Sequence, residues 1–263
     1  MSNGSNTAKS FSVQKLDSFF RNLLDLESFK TSDSSLNGLQ VDNDGSEIGK
    51  IAFSVDVSLE CFKRAKLAGA GMLFVHHGLF WGKSERLEHV LRERIKFLLD
   101  NNICLYAVHL PLDQHPIVGN NAVLAGLLGI TNPVPFGLYA GHRIGYKGDL
   151  SKPLTIEEAA GKISYMGRPA LGLYPFGKKI NQSAAVISGG AAEEVLQALD
   201  EKVDLYITGE SSHSYYHHAS EGALNVIAGG HYSTEVWGVR KIMEVAANQL
   251  NIDTEFIDIP TGL

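Results

Sequence analysis

The chain has 263 residues, 44% hydrophobic and 20% charged, with a formal net charge of −6. That length and balance supply a core for one large or two modest globular domains, and the acidic excess argues against a nucleic-acid backbone as the main ligand. No apolar run approaches the roughly 20 residues of a membrane span, and the polar opening residues lack a secretory-signal pattern. Residues 1–10 read as a disordered tail. From there Val13, Leu16, Phe20, Leu23 and Leu24 recur at helical spacing, predicting a helix to about Leu26. Asn37-Gly38 marks a turn before a short extended piece. Residues 50–55 form an apolar, β-leaning run, and Ser58 offers an N-cap for a helix to about Ala68, stopped by Gly69-Ala70-Gly71. Residues 72–75 are the next strand, which delivers His76 and His77. Leu87, Val90, Leu91, Ile95 and Leu98 mark another amphipathic helix, and residues 103–108 a third strand ending at His109. Gly119-Asn120-Asn121 opens a helix that Gly129 closes.

Pro133, Pro135 and Gly137 suggest a boundary near residue 131. Residues 138–180 read as short strands with one helix, introduced by the capping box Thr155-x-x-Glu158. The β–α–β signal then returns. Strands are expected at 184–188, 204–208 and 225–228, with helices bearing Val195, Leu196 and Leu199, and later Val236, Val239, Ile242, Met243 and Leu250. A last strand spans 255–259.

The two halves, 11–131 and 132–263, resemble each other. Ser54 and Ser188 each close a strand and each lie 22 residues before a polar strand end, His76 and Glu210. Each half then offers a strand ending in His with a carboxylate four residues later, His109…Asp113 and His231…Glu235. The expected fold is α/β, with two similar halves related by internal duplication and mixed sheets flanked by helices.

The chemistry concentrates at those strand ends. His231-x-x-x-Glu235 at a helix opening puts both side chains on one face. Mixed imidazole and carboxylate donors suit transition ions such as Zn, Fe or Mn better than Mg or Ca. Neighbouring His76 and His77 diverge on an extended backbone, so they suit two ions better than one, and a carboxylate can bridge such a pair. Plainer roles stand beside these. His76-His77 could be a polar strand end, His109 and Asp113 could cap turns, and Glu210 could be solvated. His213, His217 and His218 read as a solvated helix face, and His89, His115 and His142 as surface or loop residues. Ser188-Gly189-Gly190, between strand and helix, could hold an anion. Walker-type, nucleophile-elbow and dinucleotide fingerprints are absent. Cys61 and Cys104 are too few for a disulfide framework, which points to a reducing cytoplasm.

The motifs Ser35-Leu36-Asn37-Gly38-Leu39-Gln40, Val75-His76-His77-Gly78, His109-Leu110-Pro111-Leu112-Asp113, Thr208-Gly209-Glu210 and Gly230-His231-x-x-Thr234-Glu235 occur in an order that resembles the Nif-three-like family, whose members are also called GTP cyclohydrolase I type 2 homologues. The resemblance runs from about residue 13 to the C-terminus and is to the compact form without an inserted domain. It implies a dinuclear metal site: His77 and Asp113 on one ion, His76 and His231 on the other, Glu235 bridging. It places His109 and Glu210 along the site, as candidates for proton transfer, and implies a toroidal homohexamer. The corresponding function is a metal-dependent hydrolase that uses a metal-bound water on a small molecule such as a nucleotide. The alternative is a non-catalytic metal-binding regulatory or metal-handling protein.

Overall fold

Ser12, in an extended conformation, accepts a hydrogen bond from the backbone N–H of Lys15 and so starts helix α1 (Val13–Leu24). The computed structural model describes residues 8–263. The expected tail therefore lies mostly outside the described residues, although the backbone N–H of Lys9 donates to Asn251. Val13, Leu16, Phe20 and Leu24 form the buried face of α1. Asp25, at φ 48°, takes the left-handed conformation and ends the helix just before a separate 3₁₀ segment, Leu26–Phe29. The apolar spacing continues across that break, which is why periodicity overruns it.

Next come β1 (Gly38–Val41), β2 (Lys50–Asp56), α2 (Leu59–Leu67), β3 (Met72–His77), α3 (His89–Asp100) and β4 (Cys104–Ala107). Ser58 caps α2 as expected, accepting from Cys61 N–H at 3.0 Å. Strands β2, β3 and β4 run parallel, and β1 pairs antiparallel with β4. Interior residues of β2 and β3 are buried without alternation, as befits parallel strands covered on both faces. Cys61, Phe62, Leu73, Val75, Leu98 and Leu105 belong to one core cluster of this sheet. Burial pushes the Cys61 thiol up to about 11 and the Cys104 thiol to about 12, so both are inert packing groups.

The chain continues through α4 (Leu110–Gln114) and α5 (Asn120–Leu128), which Gly129 ends at φ 82°. Then comes a long antiparallel hairpin of β5 (Ile130–Tyr139) and β6 (His142–Leu154). Here the structure departs from the sequence reading. Pro133, Pro135 and Gly137 do not break the chain but sit within β5, the end strand of its sheet. An edge strand tolerates proline because one side of its backbone needs no ladder donor, and Pro133 falls where the register shifts.

The rest comprises α6 (Ile156–Ile163), β7 (Gly172–Tyr174), β8 (Asn181–Val186), α7 (Val195–Asp200), β9 (Leu205–Thr208), α8 (Tyr216–Glu221), β10 (Asn225–Ala228), α9 (His231–Leu250) and β11 (Asp253–Phe256). The Thr155–Glu158 capping box is present. The expected helix over His213 to His218 is split into a 3₁₀ turn, His213–Tyr215, and α8. Both β8 and β11 begin earlier than their most apolar residues suggest.

The sheets are ordered β1-β4-β3-β2-β11 and β5-β6-β8-β9-β10-β7. Compact units follow: one runs to Pro111 and takes in Val239–Ile259, the other is Leu112–Gly238 with Pro260–Leu263. Their limits differ from a single division at 131, because β11 returns to the first sheet, parallel to β2. Within each sheet the same topology recurs. In both, three successive parallel strands (β2-β3-β4 and β8-β9-β10) are flanked by the strand preceding them in sequence, antiparallel to the third. Among the described residues no helix is long and apolar enough to cross a membrane.

Candidate metal centre

In the first unit, His76, His77 and His109 each bring one ring nitrogen within 4.8 Å of those of the other two. Strand β3 delivers the first two, and His109 follows β4. The expected divergence of His76 and His77 does not occur: their ring centroids lie 4.6 Å apart, and His76 lies 5.2 Å from His109.

Each imidazole is held through Nδ1. His76 Nδ1 donates to the Val108 carbonyl at 2.9 Å, His77 Nδ1 to Asp56 Oδ1 at 2.7 Å, and His109 Nδ1 to Asp33 Oδ1 at 2.9 Å. A carbonyl or carboxylate oxygen can only accept, so Nδ1 carries the hydrogen and Nε2 is the basic nitrogen of the neutral ring. That is the support metal-binding histidines receive. Asp33 is held ionised. Burial works against this, but the hydrogen bond from His109, with those from Asn37 and Ser35, keeps its carboxyl below the usual range.

The Ser35–Gln40 motif acquires a local role. Asn37 Oδ1 accepts from His109 N–H at 2.8 Å, and Gln40 Oε1 accepts from Leu79 N–H at 2.7 Å. A Cβ on Gly78 would fall 2.5 Å from the Gln40 amide and 2.6 Å from Ala107, so only glycine lets the chain turn there. Trp81 closes the cluster, with its ring 5.0 Å from His109 and edge-on to it.

The second unit holds a mixed cluster. His231 and Glu235 occupy one face of α9, with His231 Nε2 3.1 Å from Glu235 Oε1, while Glu210 Oε1 lies 2.6 Å from His231 Nδ1. Burial depresses the His231 pKa, but Glu235 and Glu210 outweigh it and raise it to about 9. An imidazole between two carboxylates is a place that favours a cation, whether a proton or a metal ion.

Asp113, 5% exposed on α4, is oriented through Oδ1, which accepts from Asn120 Nδ2 at 2.9 Å and Ser188 Oγ at 3.0 Å. The expected anion site at Ser188-Gly189-Gly190 is replaced by this role. No helix opens directly after the turn, since α7 begins at Val195, and Ser188 N–H is taken by Asn121 Oδ1. Gly189, at φ 66°, passes so close to Glu235 that a Cβ would lie 2.2 Å from Oε1.

His213, His217 and His218 are not buried, His89 is exposed, and His115 caps a turn by accepting from Ile117 and Val118 N–H. Glu210 is half exposed yet engaged with His231. The residues that sequence reasoning missed are the supports: Asp33, Asp56, Trp81, Asn120 and Asn121.

A family model described as Duf34/NIF3 (NGG1p interacting factor 3) matches residues 11–262. The chain belongs to the Duf34/NIF3 family. A relative in Archaeoglobus fulgidus named "GTP cyclohydrolase 1 type 2 homolog" is 43% identical over 245 residues, covering 93% of this chain and 97% of that one. A relative of the same name in Pyrococcus horikoshii is 42% identical over 248 residues, covering 94% and 97%. The crystal structure of TTHA1606 from Thermus thermophilus superposes with a TM-score of 0.87 at 31% identity, over 96% of this chain and 100% of that one. The fold is thus the mixed α/β arrangement of NIF3 proteins, and the chain carries His and Glu groups able to bind a metal ion.

Proposed function

We propose that this NIF3 protein is a metal-dependent hydrolase with a dinuclear site. The carrying observation is the common state of His76 and His77: each Nδ1 hydrogen is committed to an acceptor, so Nε2 is the nitrogen each ring would offer a metal. By the family's motif order, His77 and Asp113 would hold one divalent transition ion and His76 and His231 the other, with Glu235 shared between them. The name shared by the relatives supports a small-molecule, nucleotide-type substrate.

When bound, such ions supply an activated water and offset charge on the reacting group. The chain's own residues do the rest. Asp33 keeps the His109 ring oriented, which suits His109 to accept and return a proton at Nε2. Glu210 fixes His231 through Nδ1 and is a second proton carrier. The oligomer accompanying this reading is a homohexamer, for which native mass spectrometry should give six copies of the 28.6 kDa chain.

Elemental analysis of purified protein should find about two transition-metal ions per chain, and Glu235→Ala should lose most of that metal. Full occupancy in the variant would remove Glu235 from the bridge. Protein loaded with Fe, Mn or Zn is then assayed against nucleotides and phosphoesters. Reversible metal binding with no turnover on any of them favours the metal-handling reading over the hydrolase.

A further inference from the structure

Glu210 has a second neighbourhood besides His231. It lines a cavity of about 250 Å³, all of whose walls belong to the second unit. An apolar cavity of about 150 Å³ is enough to take up benzene, so this one accommodates a fused two-ring system. Tyr174 of β7 and Phe176 just after it lie two residues apart, and Tyr216 opens α8. The Tyr216 ring stands 5.0 Å from Phe176 at 82° and 6.3 Å from Tyr174 at 85°. Tyr174 and Phe176 are inclined by only 36° to each other, so the three rings make a corner with one broad face and one perpendicular wall. A hydrogen bond of 2.8 Å between the Tyr174 hydroxyl and Ser211 Oγ holds that face in place.

These aromatic groups are not finishing a core. Tyr206 and Phe136, which do, are fully buried, whereas Tyr216 is 45% exposed and Tyr174 and Phe176 are half-buried. Aromatic faces left partly in water beside a cavity gain from a flat partner that removes them from it. At the polar side stands Glu210, a carboxylate, which accepts hydrogen bonds and cannot donate them when ionised. A matching ligand is therefore planar and presents a hydrogen-bond donor, which at the edge of a flat nitrogen heterocycle is an N–H.

We propose that this pocket binds a planar nitrogen heterocycle of purine size, stacked on Tyr174, Phe176 and Tyr216, with an N–H edge directed to Glu210. Because the same carboxylate holds His231, the heterocycle is the recognition element of the substrate. That last step rests on the hydrolase reading above; the binding itself does not.

The test uses calorimetric titration of the full chain with guanosine and adenosine, which carry N–H donors, with caffeine, a purine of similar size that has none, and with glucose as a non-planar control. Metal content is measured on the same samples. The expected result is saturable binding of at least one nucleoside, weakened about tenfold or more in Tyr216→Leu and Phe176→Leu, with metal content unchanged. Caffeine should bind about tenfold more weakly or worse, and glucose not at all. Absence of saturable nucleoside binding at millimolar concentration overturns the proposal, as does binding that neither leucine variant alters, or caffeine or glucose binding as tightly as the nucleosides. Protein that retains metal but fails this test keeps the metal reading and loses the pocket. Nucleoside binding by protein that never holds metal does the reverse.

Discussion

Asp33 belongs to none of the histidine motifs, yet its carboxylate accepts hydrogen bonds from Ser35 N–H, Asn37 Nδ2, His109 Nδ1 and Leu110 N–H. Its side chain is 1% exposed, so those donors have no water to fall back on. Removing the acceptor in Asp33→Ala should destabilise the protein by about 3 kcal/mol and release the His109 ring. The pH dependence follows from the direction of the shift. The folded-state pKa of Asp33 lies below its unfolded value, so its contribution is complete above the unfolded carboxylate range and fades as pH falls through the folded value. Urea melts of wild type and variant should differ most near neutrality, and the gap should begin to close only as pH falls below roughly 4; a constant gap would mean that the charge of Asp33 is not what stabilises the loop. The histidines themselves were legible because two imidazoles at the end of an apolar run are conspicuous. Their supports were not. Asp33 is 76 residues from His109 and Asp56 is 21 from His77, and nothing local in the chain marks such partners.

Elements whose signals are local came through as expected. Helix α6 is marked by Thr155 and Glu158, and both reciprocal bonds form, at 3.2 Å to Glu158 N–H and 2.9 Å from Thr155 N–H. Substituting Thr155→Ala removes one of them and should cost about 1 kcal/mol in urea unfolding, while Thr155→Ser should be close to neutral. An equal loss in both variants would show that the methyl group matters rather than the hydroxyl. The β5–β6 hairpin was illegible for the opposite reason. Its identity is set by pairing across a register shift, with Val134 opposite Lys147 and Ile130 opposite Leu150, while its sequence carries prolines and an exposed face. Edge position excuses the prolines, and edge position is a property of the sheet rather than of the segment. The same holds for β11, whose place beside β2 depends on residues some 200 positions earlier.

At the scale of the chain, the recurring strand order gives the paired motifs a physical basis. In each sheet the third parallel strand is followed by a histidine and, four residues on, by a carboxylate: His109 and Asp113 after β4, His231 and Glu235 after β10. The two copies have diverged in what holds the imidazole. Asp33 buttresses His109, whereas Glu210 buttresses His231 and leaves it between two carboxylates. They have diverged also in the carboxylates, Asp113 being fixed by Asn120 and Ser188 through one oxygen, Glu235 resting against Gly189. If Glu235 bridges two ions and Asp113 binds only one, the copies must respond differently to neutralisation. Asp113→Asn retains an oxygen for Asn120 and Ser188 but loses the charge, and should reduce metal content from about two ions per chain to about one. Glu235→Gln should bring it close to zero, because the bridge is what offsets repulsion between the two cations. Elemental analysis of both variants, purified in parallel with wild type, reads the difference directly. Identical metal loss in the two would mean that the carboxylates act alike, and the asymmetric assignment would have to give way to one in which each copy of the motif serves its own ion.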